Sequence, residues 1–168
     1  MAITAYIDES NGAGETVQQN VTNLNMGNND SYQLVPATYP ITAGNNAFEK
    51  WVKMRFTGTA NQVDNLKVWI SAGTLDAQAD LKTNARESAY GGAETYTTPT
   101  ASTSTAADQD MPTSEPTGAN LGIGGALAGN LSSFPNSSDY LVMQYQSTGS
   151  HPAGDITQLT LTFQWDEQ

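Results

Sequence analysis

The chain has 168 residues and no cysteine, and its 6 Lys and Arg against 17 Asp and Glu give a formal net charge of −11. Nucleic-acid affinity depends on basic side chains that neutralise phosphates, so this charge argues against nucleic acid and anionic membranes as partners. The lack of cysteine excludes disulfides and thiolate metal sites.

Length and composition predict one domain over residues 1–168. The residues that are neither hydrophobic nor charged are mostly Thr, Ser, Asn, Gln and Gly, which is typical of strand-rich and turn-rich proteins. The stretch Met1–Glu9 lacks the basic and apolar regions of a secretory signal. No run approaches the roughly 18 apolar residues that a membrane helix needs. We therefore expect a protein that is made soluble in a cytoplasm.

The first half of the chain predicts several strands. The stretch Phe48–Phe56 alternates with the period of two that is typical of a half-buried strand. Its two faces carry Val52, Met54 and Phe56 on one side and Trp51, Lys53 and Arg55 on the other. A turn at Gly58–Asn61 leads to Leu66–Ile70, in which apolar residues alternate again. Shorter strand candidates are Ala2–Ile7, Val17–Leu24 and Gln33–Val35.

The middle of the chain is dominated by a long polar segment, Glu94–Asn120. Before it, Leu75–Arg86 favours one or two short helical turns. The segment itself has almost no large apolar residue, and loops longer than about 12–15 residues are uncommon in compact domains. Because so few apolar groups gain little free energy from burial, we predict a long arm that extends into solvent or onto another protein.

The C-terminal part predicts two strands, Tyr140–Gln146 and Leu159–Trp165. A turn-rich connector, Ser147–Gly154, joins them and favours an antiparallel hairpin. Many short strands with frequent turn signals, and no alternating long helices, predict an all-β fold. The expected architecture is a single antiparallel β-sandwich, jelly-roll-like or immunoglobulin-like, with the long arm.

Residues that carry catalysis are sparse. His151, the single histidine, lies in a connector of Gly, Ser and Pro and is expected to be an exposed loop residue. Glycosidase chemistry needs two paired carboxylates, and no spacing pairs those that lie near strands. These are Glu49, Asp64, Asp139 and Asp155. We predict that the protein is not an enzyme and has no catalytic residue.

Two stretches resemble ligand sites only superficially. Asp108 and Asp110, with Glu115 nearby, lack the glycine and the final Glu of an EF-hand loop. Gly122–Gly129 lacks both the Lys of a phosphate-binding loop and the strand–turn–helix setting of a dinucleotide site. Its predicted role is to dock the end of the arm onto the core or onto a neighbour. We expect neither a metal nor a cofactor.

The three tryptophans have different predicted positions. Trp165 lies on the apolar face of its strand and is expected in the core. Trp51 and Trp69 each lie opposite the apolar face of their strands. Exposed together, the two rings would suit sugar stacking or a protein contact. The alternative is that loops cover them.

Three stretches resemble small β-sandwich virion proteins of tailed bacteriophages. They are Asn46–Trp51, Asn65–Trp69, and the ending that runs from Tyr140–Gln144 through Gly154 to Leu161–Glu167. The resemblance covers residues from about 46 to the end, apart from the arm, and consists of framework strands. It implies a non-enzymatic capsid decoration (cement) protein, usually a homotrimer, on the outer capsid surface of the virion after synthesis in the host cytoplasm.

On this interpretation the partners are viral capsid protein and copies of the chain itself, with a trimer favoured. The candidate contact residues belong to the arm and to the tryptophan pair. They are Tyr96, Pro99, Met111, Pro112, Pro116, Trp51 and Trp69. Met1–Gly14, with a hinge at Asn11–Gly14, is a second predicted tether.

Two alternative functions stay open from the sequence. One is a tail or neck component. The other is a carbohydrate-binding, receptor-recognition module that stacks sugars on Trp51, Trp69 and either Tyr90 or Tyr96. A jelly-roll glycosidase or lyase ranks last, because it has no carboxylate pair to use.

Overall fold

The computed structural model describes residues 2–90, 95–152 and 158–168. Within them every regular element is a β-strand, so the predicted all-β class is confirmed. The strands are β1 (Thr4–Asn11), β2 (Thr16–Gln18), β3 (Lys50–Thr57), β4 (Val63–Ala72), β5 (Ala79–Thr83), β6 (Gln109–Asp110), β7 (Asn136–Ser137), β8 (Leu141–Ser147) and β9 (Thr160–Glu167). No helix able to span a membrane occurs in this described part.

The strands form two antiparallel sheets in a sandwich-like arrangement. The large sheet has the order β2-β1-β3-β8-β5-β6, with β7 paired to β3, and the small sheet contains β4 and β9. The two strands of the small sheet are too few to cover the whole inner face of the large sheet. Loop residues such as Leu24 and Met26 therefore pack against the core as well.

Strand register determines which side chains enter the core. In the large sheet Ala5 is aligned with Phe56 and Ile7 with Met54, and because side chains alternate along a strand, all four lie on the inner face. In the small sheet Val68 is aligned with Phe163 and Ile70 with Leu161. Met54, Phe56, Val68 and Ile70 are all buried, as the alternation in β3 and β4 predicted.

The predicted hairpin between the last two long strands is wrong. β8 pairs with β3 on one side and with β5 on the other, so both of its edges are occupied. β9 instead pairs with β4 in the small sheet. The chain therefore crosses from one sheet to the other between β8 and β9.

Other local predictions need smaller corrections. The stretch Leu75–Arg86 contains β5 in place of the expected helical turns, because Ala79, Leu81 and Thr83 alternate toward the interior beside β8. Gln33–Val35 is irregular, and Val17–Leu24 contributes only its first two residues to a strand, β2. The long strands were predicted best because their alternation extends over more residues.

The predicted N-terminal tether is part of the fold. β1 occupies most of it and pairs with β3 from Thr4 to Ser10. The predicted hinge is the tight turn between β1 and β2, where Gly12 and Gly14 adopt positive φ angles of 71° and 92°. Such angles favour glycine because they place a Cβ atom close to the backbone.

The predicted arm is also wrong in its placement, as far as residues 95–120 are described. The segment folds back on the sandwich, first over the outer face of the large sheet and then along β4. Pro99, Ala107, Met111 and Pro116 are buried within it. It includes β6, which pairs with β5. The segment is thus a third layer of the domain.

Candidate functional site

The first part of the segment covers an aromatic cluster on the outer face of the large sheet. Trp51 is 2% exposed there, and its ring lies edge-on to Tyr96 and Tyr140 with centroid distances of 5.5 Å and 5.4 Å. The Trp51 indole N–H donates to Glu49 at 3.0 Å. Loop residues therefore cover Trp51. Of the two alternatives that the sequence left open for this side chain, exposed or covered by loops, the structure shows the second.

Tyr96 joins the segment to the turn between β1 and β2. Its hydroxyl donates to the Gly12 carbonyl at 2.8 Å. Burial raises the pKa of Tyr96 and of Tyr140 above the ordinary phenol value, with nearby acidic groups adding to the effect. Both phenols therefore remain neutral hydrogen-bonding groups, and Tyr96 acts as an internal anchor of the segment.

Buried polar groups hold the segment over the sheet. The Gln144 side chain on β8 is fully buried and donates to the carbonyls of Thr100 and Ser102 at 3.3 Å and 2.7 Å. Its oxygen accepts from the Ser104 N–H at 3.0 Å. The Ser104 hydroxyl in turn donates to Glu49. Each of these buried polar atoms has a partner, so hydrogen bonds hold this part of the segment over the sheet together with the packing of Tyr96.

The second part of the segment closes one edge of the small sheet. The Ile70 N–H donates to the Pro112 carbonyl at 2.8 Å. The Asn120 side chain accepts from the Val68 N–H and donates to the Val68 carbonyl, both at 2.8 Å, and the Asn120 N–H donates to the Leu66 carbonyl at 3.0 Å. The edge of β4 that faces away from β9 is therefore satisfied by the segment.

The opposite edge of the small sheet, which is the outer edge of β9, is not closed in this way. No strand in the described part of the chain pairs with it. Gln168 exchanges both backbone bonds with Gln62, and hydrogen bonding alternates along a strand. The N–H and C=O groups of Leu161, Phe163 and Trp165 therefore point away from β4. We call this feature the open edge of β9.

The side chains at the open edge are only half covered. Leu161, Phe163 and Trp165 are partly buried and pack against the core, and Phe56 lies edge-on to Trp165 at 5.5 Å between ring centroids. Trp165 thus contacts the core as predicted, although solvent still reaches it. Trp69, on the outer face of the small sheet, is half buried too.

The predicted contact residues do not form one surface. Trp51, Pro99, Met111 and Pro116 are buried within the chain, and Tyr96 and Pro112 are half buried. A partner would reach the buried ones only if the segment were displaced. The sequence missed the open edge of β9 as a candidate contact surface.

His151 is mostly buried and hydrogen-bonded, whereas the sequence predicted an exposed loop residue. Its Nε2 lies 2.9 Å from the Tyr145 hydroxyl and 3.3 Å from Asp76, and its side chain is 10% exposed. Burial, with Asp76 adding to it, raises the pKa of Tyr145 to about 12. The histidine thus ties its connector to β8 through Tyr145.

The acidic residues of the segment pair with cations of the sheets. Asp108 binds Arg86 at 2.6 Å, Asp110 binds Lys82, and Glu115 binds Lys67 at 3.0 Å. No group of three His, Asp or Glu in the described part of the chain is arranged to hold a metal ion.

The remaining candidate carboxylates among the described residues lie in different parts of the fold. Glu49 is buried in the aromatic cluster, and Asp139 accepts from the Gly125 N–H at 2.8 Å. Asp64 lies at the beginning of β4, and Asp155 is outside the described residues. The Asp139 N–H donates to the Gly122 carbonyl at 3.0 Å, so the glycine-rich stretch packs on the chain's own core.

A buried ion pair lies on the inner face of the large sheet. Lys50 and Glu9 are 2% and 1% exposed, and the ammonium lies 2.6 Å from one carboxylate oxygen and 2.6 Å from the Ser31 carbonyl. The second oxygen, Glu9 Oε2, is buried without a hydrogen-bond partner. Burial raises the pKa of Glu9, and Lys50 counteracts this only in part.

All six cationic side chains are engaged inside the molecule. Five take part in ion pairs, and Lys53 lies over the Tyr140 ring at 4.1 Å from its centroid. Carboxylates such as Glu15, Glu87, Asp166 and Glu167 remain exposed. The outward electrostatic field of the protein is therefore that of its acidic groups, which favours basic partners.

Comparisons with protein-family models, curated proteins and solved structures found no match to the chain.

Proposed function

We propose that the protein is a non-enzymatic structural component of a tailed-phage virion, a capsid decoration protein that binds and stabilises the outer shell of the head. The observation that carries this proposal is the open edge of β9. Unpaired backbone groups beside half-covered apolar side chains are a template for pairing with another chain, and strand addition to an exposed sheet edge is a recurring mode of protein recognition.

The electrostatics support a protein partner over a nucleic acid. Because every cation is engaged internally, none is left to neutralise phosphates. Many copies on a shell would also bind additively, so that each contact can be weak. We propose a trimer on the shell surface, following the resemblance to virion proteins.

We further propose that the sandwich is immunoglobulin-like and not a jelly roll. A constant-type immunoglobulin domain has strands A, B, E and D in one sheet and C, F and G in the other. Here β1, β3, β8 and β5 are adjacent in that order, and β4 pairs with β9. These six strands correspond to A, B, E and D, and to C and F, in the same order along the chain.

The test is binding to shells. Purified protein is mixed with shells of the phage's capsid protein that lack decoration, and pelleting, occupancy and light scattering are measured. Saturable pelleting at a fixed ratio to capsid protein supports decoration. Protein that stays in the supernatant at all concentrations refutes it.

A carbohydrate-binding module is the second candidate, and one feature favours it. An open cleft of about 290 Å³ is lined mainly by amide and hydroxyl side chains, including Asn28, Asn45, Asn46, Ser102 and Thr103. Such groups suit sugar hydroxyls, although the tryptophan platform is lost because Trp51 is buried. Binding on a glycan array that disappears in Asn46→Ala would favour this function.

A further inference from the structure

The immunoglobulin-like correspondence leaves one strand position empty among the described residues. Strand G would pair with strand F, which is β9 here, and would complete the three-stranded second sheet. The large sheet has all of its four counterparts, and β2, β6 and β7 are additions to it. The vacant position coincides with the open edge of β9.

Burial within the small sheet points to the same place. β4 and β9 present apolar side chains to the same inner face, yet Leu66, Val68 and Ile70 are 0%, 0% and 4% exposed. Their counterparts on β9, Leu161, Phe163 and Trp165, are only partly buried. This difference in burial matches the difference between the two edges of the sheet. The segment at Pro112 and Asn120 closes the edge of β4, whereas no strand among the described residues pairs with the edge of β9.

β9 carries little of the usual protection of an exposed edge. Natural edge strands carry charged side chains, especially Lys, or Pro or a bulge that discourages pairing. The sequence of β9 from Thr160 to Glu167 has neither Lys nor Pro, and its two charged residues, Asp166 and Glu167, lie at its end. The register irregularities of its pairing place the extra residues on β4, so the part of β9 before Asp166 is long enough for a ladder of several backbone bonds.

We propose that β9 accepts a donor strand from another protein, an extended segment in which apolar residues alternate with Lys, Arg or neutral polar residues. Its backbone would pair with the outward N–H and C=O groups of Leu161, Phe163 and Trp165, and its apolar side chains would cover theirs. This inference deepens the proposed assembly function and rests on it for the source of the strand.

Charge selects the occupant. β9 ends in the exposed carboxylates Asp166 and Glu167, and the protein's own cations are all engaged internally. A second copy of a chain with a net charge of −11 would bring like charges together, which disfavours pairing. A basic segment would bring the complementary charge.

The first experiment uses synthetic peptides. The probe is a ten-residue peptide of alternating Val and Lys. It is added to the full chain, and its binding is followed by the amide NMR spectra and the hydrogen exchange of the protein. The matched control has the same sequence with N-methyl groups on the amides that would pair with β9, so its charge and side chains are unchanged. We expect the probe to shift and protect the outward amides of β9, and the control to lose at least about fivefold in affinity because its ladder bonds are gone.

A variant tests the same edge from the protein's side. Leu161→Pro removes one outward N–H but keeps the bonds to β4, and proline is tolerated on such edges. We expect reduced probe binding by a variant that still unfolds cooperatively, with a lower melting temperature because the Leu161 side chain no longer packs against the core. If this variant does not fold, a fusion that places the probe after Gln168 through a Gly-Ser linker replaces it. The fusion should melt at a higher temperature and no longer bind free probe.

Three results would overturn the inference. They are equal affinity for the probe and its N-methylated control, shifts spread over the acidic surface instead of β9, and self-association of the chain through β9. Failure of the proposed function is separate, because protein that binds the probe at β9 yet ignores shells refutes decoration alone. If the fusion pellets with shells as well as the unfused protein does, the donor-strand inference alone is refuted.

Discussion

Replacement of Lys50 by Met is expected to destabilise the protein strongly, in a way that depends on pH. The substitution keeps the length and apolar stem of the side chain but removes the partner of Glu9, which is 1% exposed. A carboxylate left buried without its cation typically costs about 3–5 kcal/mol. One Glu9 oxygen already lacks a hydrogen-bond partner, and the substitution also removes the 2.6 Å bond to the other oxygen.

Protonation of Glu9 gives this variant a way to reduce the cost. Burial already raises the pKa of Glu9, and the loss of Lys50 removes a group that lowers it. A neutral Glu9 is tolerated in the interior, so the difference from wild type should shrink by up to about 1.4 kcal/mol for each unit of pH between 7 and 5. Urea unfolding monitored by circular dichroism at pH 7, 6 and 5 measures it.

The double substitution Glu9→Leu with Lys50→Met completes the test. Apolar replacement of a whole buried pair is often neutral or stabilising, so the double variant should be far more stable than the sum of the single variants predicts. The reasoning is refuted if the two single effects simply add, or if Lys50→Met costs the same free energy at pH 5 as at pH 7. Either result would mean that the pair is effectively solvated.

Three further predictions follow from the segment and the buried acids. Asn120→Ala should cost about 2–3 kcal/mol in urea unfolding, because two buried side-chain bonds to Val68 are lost. Tyr96→Phe should cost about 1 kcal/mol, because a single bond to the β1–β2 turn is lost, and hydrogen exchange should rise in that turn. Wild-type stability should increase as pH falls from 7 toward 5. Burial raises the pKa values of Glu9 and Asp30, so over this range the native state binds protons that the unfolded chain does not. A series of thermal melts in which the melting temperature falls between pH 7 and pH 5 would contradict this prediction.

The sequence predicted the fold class because alternation is a local signal. β3 and β4 have eight and ten residues, long enough for Met54, Phe56, Val68 and Ile70 to mark their faces. β5 has five residues, among them Asp80 and Lys82, which leaves too few positions for a clear period. Its strand state depends on pairing with β8, which is a non-local contact.

The wrong hairpin and the misplaced arm have different causes. Strands that are neighbours along the chain and joined by turn residues usually pair, but β3 and β5 occupy both edges of β8. The arm was predicted from its lack of apolar residues, whereas it is held by buried amides and hydroxyls such as those of Asn120, Gln144 and Ser104. Composition does not show which polar groups will meet.

The candidate site was the least predictable part of the molecule. The alternation of Leu161, Phe163 and Trp165 correctly indicated a face toward the core, but it carries no information about the edge beside them. Trp51 was ambiguous because β3 has apolar side chains on both faces, and the cover over its outer face comes from residues 95–107, far along the chain.

We propose above all that this protein binds the surface of an assembled shell. The most direct measurement is the mass of undecorated shells, by light scattering and sedimentation, as the protein is added. We expect a saturable gain in mass at a fixed number of copies per capsid subunit, with the bound protein as trimers. Shells that gain no mass while the added protein remains folded would contradict it.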